Sequence, residues 1–206
     1  MLNEREEKLF QKYYHNLPEM LLPIILPTPK LSNRVVSDKC NILFVGGYYY
    51  PNVNGFKWFV ENVAPLIKIN YEVTLVGNRM DLLKDEFSDN SNVKVLGRVE
   101  DLSLYYENAS VVVGPIFEGA GMKVKTAEAL SYGKIFIGTD ESLIGYKELA
   151  GELLGKSIIV CNNEEEFASA INNMDFGNGF CTENYEFFLK NYSIEAATCK
   201  LKTLLN

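Results

Sequence analysis

The chain has 206 residues, of which 47% are hydrophobic and 23% charged, enough for one domain with a substantial core. Its formal net charge of −7 argues against general nucleic-acid binding, which uses a basic surface, but allows a local basic site for a small anion. The four cysteines form no CxxC pair, and no apolar run approaches the ~20 residues of a membrane span. These features predict a cytoplasmic protein with reduced thiols.

Residues 1–38 are predicted to lead into a domain that spans residues 39–206. Glu4–Tyr14 has the pattern of a short amphipathic helix, and the following LPEMLLPIILPTPK contains four prolines, which forbid regular helix. The only histidine, His15, lies in this lead-in. Because one histidine so placed cannot complete a Ser-His-Asp triad, a Cys-His pair or a metal-ligand set, we expect no metal site.

From Asn41 onward, short Val- and Ile-rich runs alternate with helical patterns. The runs are NILFVG, YEVTLVG, NVKVLG, ASVVVGP, KIFIGT and KSIIVC. They are apolar at consecutive positions, which is typical of parallel strands buried on both faces. The predicted helices are Phe56–Lys68, Met80–Phe87, Asp101–Asn108, Met122–Ser131, Ser142–Ala150, Glu164–Asn173, Asn184–Lys190 and Ser193–Leu205.

This alternation predicts an α/β fold: a Rossmann-like, doubly wound parallel sheet of about six strands with helices on both faces. Most of the predicted strands run into a glycine at their carboxyl ends. In open α/β sheets the carboxyl edge is where ligands bind. We therefore look for functional residues immediately after the strands.

The segment from Val111 to Asp140 carries the strongest functional signal. A glycine-rich turn, Gly119-Ala120-Gly121, follows an apolar strand, and Lys123 and Lys125 lie at the start of the next predicted helix. Glycines let amide N–H groups approach an anion, and the helix start adds its positive dipole end. The alternative is a plain turn with solvated lysines. Two lysines in a first turn oppose the helix dipole unless an anion is near, so we favour an anion site.

Glu128 lies on the same predicted helix, among apolar neighbours. A carboxylate at the rim of a cleft can accept hydrogen bonds from both hydroxyls of a ribose. The alternative is an exposed glutamate that pairs with Lys125, three residues earlier, at little gain in stability. The residues by themselves leave both interpretations open.

Weaker candidates follow the first three strands. Gly47 and Tyr48 belong to an aromatic loop on which a sugar or base could stack. Arg79 follows the second strand and Arg98 the third, and each, judged singly, is more simply a surface residue.

Several segments together resemble the C-terminal domain of GT-B glycosyltransferases of the family 4 type, the glycosyl transferases group 1. They are FVGGYYYPNVNGFKWFVENVAPLI, YEVTLVGNR, VKVLGRVEDLSLYYENASVVVGPI, GAGMKVKTAEALSYGKIFIGT and YSIEAATCKL. The resemblance runs in consistent order from about Asn41 to the C-terminus. It implies a Rossmann-like half that binds a nucleotide-diphosphate sugar as substrate, without cofactor or metal, while a separate N-terminal half binds the acceptor.

The resemblance assigns Glu128 to the second glutamate of the family's paired-glutamate motif, which holds the donor ribose. The first glutamate, which contacts the transferred sugar, would fall at Ala120 and is absent. Glu118, two positions upstream, could replace it only if the loop is rearranged. Lys123 or Lys125 would supply the phosphate-binding charge that the family places after its first strand.

Val99, after Arg98, takes the place of the family's base-binding loop. The predicted catalytic residues are therefore Lys123 and Glu118. The predicted donor-binding residues are Gly47, Tyr48, Arg79, Arg98, Val99, Gly119, Ala120, Gly121, Lys123, Lys125 and Glu128.

Two functions remain open. The first is the donor-binding half of a glycosyltransferase that moves a sugar from a UDP- or GDP-linked donor to a glycan or lipid. It would be inactive without an acceptor half in cis or trans, and any peripheral membrane association would come through that half. The second is a degenerate, non-catalytic module that scaffolds or regulates a partner. A dinucleotide oxidoreductase is disfavoured because no GxGxxG follows the first strand. A missing half further predicts an unusually apolar surface at the carboxyl edge around Tyr48–Tyr50 and on the N-terminal lead-in.

Overall fold

A computed structural model describes residues 3–15, 20–32, 38–176 and 179–205. The helices are α1 (Glu4–Tyr14), α2 (Tyr50–Trp58), α3 (Ser103–Asn108), α4 (Val124–Ser131), α5 (Glu164–Asn173), α6 (Thr182–Asn191) and α7 (Ile194–Leu205). The strands are β1 (Cys40–Val45), β2 (Tyr71–Val76), β3 (Val93–Val95), β4 (Val111–Gly114), β5 (Ile135–Gly138) and β6 (Ile158–Val160).

The six strands form one parallel sheet in the order β3-β2-β1-β4-β5-β6. The chain builds outward from β1 to β3, then crosses back to place β4 on the other side of β1. This reversal is the topological switch point at which open α/β sheets bind ligands. The predicted fold class is confirmed.

Successive residues of each strand serve opposite faces of the sheet, which explains the unbroken apolar runs. In β1, Ile42 and Phe44 pack into the layer that contains α2 and α5. Leu43 and Val45 pack into the opposite layer, with α4 and α6. Because both faces are covered, these strands cannot alternate apolar with polar residues.

The helix boundaries differ from the predicted ones where local geometry intervenes. Helix α2 begins at Tyr50 rather than Phe56, because Pro51 suits a first turn, and it continues through a π-helical turn (Phe59–Val63) and a 3-10 turn (Ala64–Leu66). The predicted helix Met80–Phe87 is reduced to a 3-10 turn, Met80–Leu83.

The predicted helix Ser142–Ala150 is wrong. Residues 140–149 form successive turns, and a short 3-10 turn, Gly151–Leu153, follows. Gly145 has a φ of +82°, which interrupts a right-handed helical path in the middle of this segment. The turns bring this segment against the start of α4.

Residues 20–32, in the N-terminal segment, pack along the domain. Residues 20–32 contain no helix, as their prolines predict, whereas Pro18 lies outside the described residues. The Leu26 N–H donates to the carbonyl oxygen of Tyr192 at 2.9 Å. The backbone N–H and hydroxyl of Ser32 both donate to the carboxylate of Glu107, which is buried. These contacts hold the segment against α3 and the α6–α7 junction.

Candidate functional site

A cleft of about 500 Å³ lies at the carboxyl ends of β1 and β4, the switch point of the sheet. The first turn of α2, the loop after β4 and the first two turns of α4 enclose it. The predicted site residues that line it are Glu118, Gly119, Ala120, Lys123, Lys125 and Glu128. The structure therefore brings these six candidates together.

The glycine loop before α4 has the backbone conformation that its sequence predicts. Gly119 has a φ of +140° and Gly121 a φ of +65°, values that residues other than glycine rarely adopt. Ala120, between them, is exposed at the cleft, and no side-chain carboxylate occupies its place. Among the described residues, the N–H groups of Gly121 and Met122 make no hydrogen bond.

Lys123 precedes the first residue of α4 and is partly buried. Its ammonium contacts the Glu141 carboxylate at 2.9 Å and the carbonyl oxygens of Gly121 at 2.9 Å and Ala120 at 3.5 Å. Glu141 also pairs with Arg5, at 3.1 Å. The charge of Lys123 is thus compensated from outside α4, so the helix dipole alone does not require an anion beside it.

Lys125 lies on the opposite side of the cleft, toward β1. Its ammonium donates to Oδ1 of Asn52 at 2.6 Å and lies 4.6 Å from the centre of the Phe44 ring. Burial lowers the pKa of Lys125 to about 7, the charge of Lys123 acts in the same direction, and Glu128 opposes them. Lys125 is a cation in a setting that disfavours its charge.

Glu128 is one turn beyond Lys125 and is partly buried. One of its carboxylate oxygens accepts a hydrogen bond from the Tyr106 hydroxyl at 2.9 Å. Tyr106 is buried and stacks on Tyr132 with ring centroids 5.0 Å apart. The carboxylate is therefore held in one orientation at the wall of the cleft.

Asn52, Tyr106 and Glu141 are contributors that the sequence did not indicate. The amide of Asn52 also donates to the carbonyl oxygen of Gly47 at 2.9 Å, so it joins the loop after β1 to Lys125. A Cβ at Gly46 would lie 2.8 Å from the Asn52 side chain. Asn52 is the third residue of α2 rather than its N-cap, which is Tyr49, so no local signal marks it.

The remaining candidates lie along the same edge but outside this cleft. Arg98 and Val99 line a second depression of about 310 Å³, at the ends of β2 and β3. Tyr48, Arg79 and Gly47 line neither space. The Arg79 guanidinium lies 6.0 Å from the centre of the Tyr48 ring.

Aromatic side chains are exposed beside the cleft, as expected around Tyr48–Tyr50. The exposed fraction is 45% for Tyr48, 67% for Tyr49 and 63% for Tyr50, and Phe117 is exposed to 47%. These four rings form an apolar rim at the carboxyl edge.

Within the described ranges, no cluster of three or more His, Cys, Asp or Glu side chains is arranged to hold a metal ion. No helix in the described part of the chain is long and apolar enough to cross a bilayer.

A family model described as Glycosyl transferases group 1 matches residues 39–174. The chain belongs to this family. The chain is also similar to an uncharacterized 44.6 kDa protein in the cps region of Klebsiella pneumoniae, 29% identical over 146 residues. The match covers 65% of this chain and 37% of that protein.

Solved glycosyltransferases share the fold. A mutant of S. aureus TarM, in complex with Fondaparinux, alpha-GlcNAc-glycerol and UDP, has a TM-score of 0.76 at 14% identity. The match covers 100% of this chain and 43% of the TarM chain. The pneumococcal O-GlcNAc transferase GtfA, in complex with UDP and GlcNAc, has a TM-score of 0.69 at 14% identity. The match covers 98% of this chain and 44% of GtfA. The chain has the Rossmann-like fold of one GT-B half and spans less than half the length of these proteins.

Proposed function

We propose that this chain binds the nucleotide-diphosphate sugar of a glycosyltransferase reaction in the cleft between α2 and α4. The observation that carries the proposal is the pair Lys125 and Glu128, a cation and a carboxylate that face one cleft at the switch point of the sheet. Beside them, the glycine loop offers N–H groups without partners among the described residues. The set matches the two polar groups of a nucleotide sugar, its diphosphate and its ribose.

The diphosphate is assigned to Lys125 and the loop. The start of α4 adds the positive end of its dipole to the free N–H groups of Gly121 and Met122. An ammonium has three donors, and Lys125 directs one to Asn52, which leaves two for phosphate oxygens. An anion would also restore the charge that burial disfavours.

The ribose is assigned to Glu128. Because Tyr106 donates to one oxygen, Oε2, the other oxygen and the remaining lone pairs can accept bonds from ribose hydroxyls. The depression at Arg98 and Val99 then provides the place for the base. Gly47, Tyr48 and Arg79 lie between the two spaces along the edge.

Catalysis would follow from stabilising the leaving group. When the bond between the anomeric carbon and the phosphate oxygen breaks, negative charge develops on the diphosphate while the sugar gains oxocarbenium character. N–H groups and an ammonium already directed at that position stabilise the charge without reorganisation. Lys123 and Glu118, predicted as catalytic residues, line the same cleft, and Ala120 contributes no carboxylate.

The experiment is calorimetric titration of UDP, GDP and ADP into the chain. UDP is the first choice because the TarM and GtfA structures contain it. We expect micromolar binding of one nucleotide, weakened about tenfold or more by Lys125→Met and by Glu128→Gln through loss of a charge-assisted hydrogen bond. Glu165→Gln, on the exposed face of α5, is the matched control and should bind as the unsubstituted chain does.

Absence of binding by all three nucleotides would refute the proposal. It would favour the second candidate, a non-catalytic module, for which Ala120 is the specific observation. A domain that has lost its sugar-contacting carboxylate keeps the fold without needing the donor.

A further inference from the structure

The ammonium of Lys123 organises the glycine loop more than it serves the cleft. Its three donors meet three acceptors: the Glu141 carboxylate and the carbonyl oxygens of Ala120 and Gly121. Lys125, by contrast, has a single hydrogen bond among the described residues, to Asn52. Lys123 and Lys125 therefore have different roles: the first holds the loop, and the second faces the cleft.

The direction of the loop amides follows from these bonds. In a planar trans peptide, the C=O of one residue and the N–H of the next point in opposite directions. With the carbonyls of Ala120 and Gly121 turned toward Lys123, the N–H groups of Gly121 and Met122 are turned away from it. Neither of these two N–H groups has a partner among the described residues.

Glu141 belongs to the segment of turns that braces the loop. Near it, the Tyr146 hydroxyl donates to the carbonyl oxygen of Lys123 at 2.8 Å. The buried side chain of Met122 covers Gly145, where a Cβ would lie 2.7 Å from it. The ion pair, the hydrogen bond and this packing fix the base of the loop from one side.

Helix α1 lies against the same assembly. Arg5 donates to the second oxygen of Glu141, and a Cβ on Gly121 would lie 3.6 Å from the carboxylate of Glu6. Helix α1 has no buried residue of its own. Its position therefore depends on a few polar contacts, of which the one between Arg5 and Glu141 reaches the loop.

We propose that Glu141 is a positioning residue for the anion loop and that Arg5 couples the docking of α1 to it. Glu141 holds Lys123, Lys123 holds the carbonyls of Ala120 and Gly121, and the N–H groups stay free for the anion. The identity of that anion as a nucleoside diphosphate rests on the proposed function. The order of the loop does not, since it is a property of the chain without ligand.

Whether removal of Glu141 weakens or tightens anion binding distinguishes a positioning role from a purely electrostatic one. A carboxylate beside an anion site repels the anion, so its removal should tighten binding if charge alone acts. If Glu141 positions the loop, its removal should weaken binding despite the lost repulsion. Glu141→Gln, which keeps an acceptor oxygen for Lys123, should then recover part of the affinity.

The test combines hydrogen exchange of the ligand-free chain with titration of UDP, GDP and ADP. We expect faster exchange of the Thr126 amide, which donates to the Lys123 carbonyl oxygen at 3.1 Å, in Glu141→Ala and in Arg5→Ala. We also expect about tenfold weaker binding of the preferred nucleotide by Glu141→Ala through loss of one charge-assisted hydrogen bond. Lys57→Ala, which breaks a separate ion pair with Glu86, is the control and should change neither. Because Arg5 is 54% exposed, its variant should fold even if Glu141→Ala does not.

Unchanged exchange of the Thr126 amide in Arg5→Ala and Glu141→Ala, or tighter nucleotide binding by Glu141→Ala, would overturn the inference. Failure of every nucleotide to bind the unsubstituted chain would instead refute the proposed function. The exchange measurement contains no ligand, so it would still decide the role of Glu141.

Discussion

The side chain of Lys125 lies where burial disfavours its charged form. Burial, with the nearby Lys123, lowers its pKa to about 7, and Glu128 only partly opposes this. Near neutral pH the ligand-free chain therefore holds a mixture of ammonium and amine at this position. A bound diphosphate favours the ammonium, so binding at and above neutral pH should take up a proton.

This coupling predicts a pH dependence of nucleotide binding. Between pH 7 and pH 9 the amine form dominates increasingly, so the affinity for the preferred nucleotide should fall by up to about tenfold per pH unit. Starting at pH 7 keeps the terminal phosphate, with a pKa of about 6, mostly ionised. Titration in buffers of different ionisation enthalpy should detect uptake of about half a proton at pH 7.

Lys125→Arg is the control for this effect, because a guanidinium stays charged over the whole range. Its affinity should change little from pH 7 to pH 9. An affinity of the unsubstituted chain that is flat or rises over that range would contradict the role given to Lys125.

At the scale of secondary structure, the ends of β1 and β2 converge closely beside the site. A Cβ on Gly77, immediately after β2, would lie 1.8 Å from the carbonyl oxygen of Gly46, which no side-chain rotation can relieve. At Gly47, on the opposing loop, the nearest atom would be 3.7 Å away, an ordinary contact. Gly77 is therefore needed for packing, whereas Gly47 has room for a methyl group.

We expect Gly77→Ala to lower the free energy of unfolding by about 2–3 kcal/mol, because the strand ends must separate. Gly47→Ala should change it by no more than about 0.5 kcal/mol. Urea denaturation followed by circular dichroism compares the two variants. Equal stabilities would show that the strand ends adjust more easily than their spacing implies.

The elements differ in how well the sequence predicts them. Strands buried on both faces were predictable because each is a continuous apolar run between polar turns. The helix predicted at Ser142–Ala150 was not excluded by its composition. The Met122 side chain lies 2.7 Å from where a Cβ on Gly145 would be, and the sequence does not indicate this contact. That contact joins residues far apart in the chain.

The residues of the site likewise differ in how well the sequence predicts them. The glycine loop, its lysines and Glu128 carry local signals, because they occupy fixed positions around one helix start. Asn52, Tyr106 and Glu141 act through partners 73, 22 and 18 residues away. No periodicity or motif in a single sequence encodes such pairs.

At the scale of the whole molecule, the exposed aromatic rim and the greater length of the similar proteins both bear on what covers the carboxyl edge. The chain spans 37% of the Klebsiella protein and 43% of TarM. Tyr48, Tyr49, Tyr50 and Phe117 are exposed to solvent at the carboxyl edge, and Tyr49 lines the cleft. Both observations are consistent with the proposed function, in which a second domain would cover this edge.

We therefore expect the chain by itself to bind a nucleotide but to release no UDP or GDP from the corresponding sugar donors. A coupled assay for free nucleoside diphosphate, with the no-protein reaction as control, measures this directly. Turnover by the chain with a simple glycan or lipid acceptor would show that no second half is needed.

The contact between Leu26 and Tyr192 constrains when the domain can finish folding during its synthesis. It joins an early segment of the chain to the α6–α7 junction. The ammonium of Lys134 likewise requires the carbonyl oxygen of Gly179, at 3.0 Å, in addition to those of Glu107 and Ala109. Neither contact can form until the ribosome has released these late residues. The parallel sheet, whose last strand ends at Val160, can therefore pair before the segment around Leu26 docks, and that segment stays open to chaperones until these later residues emerge.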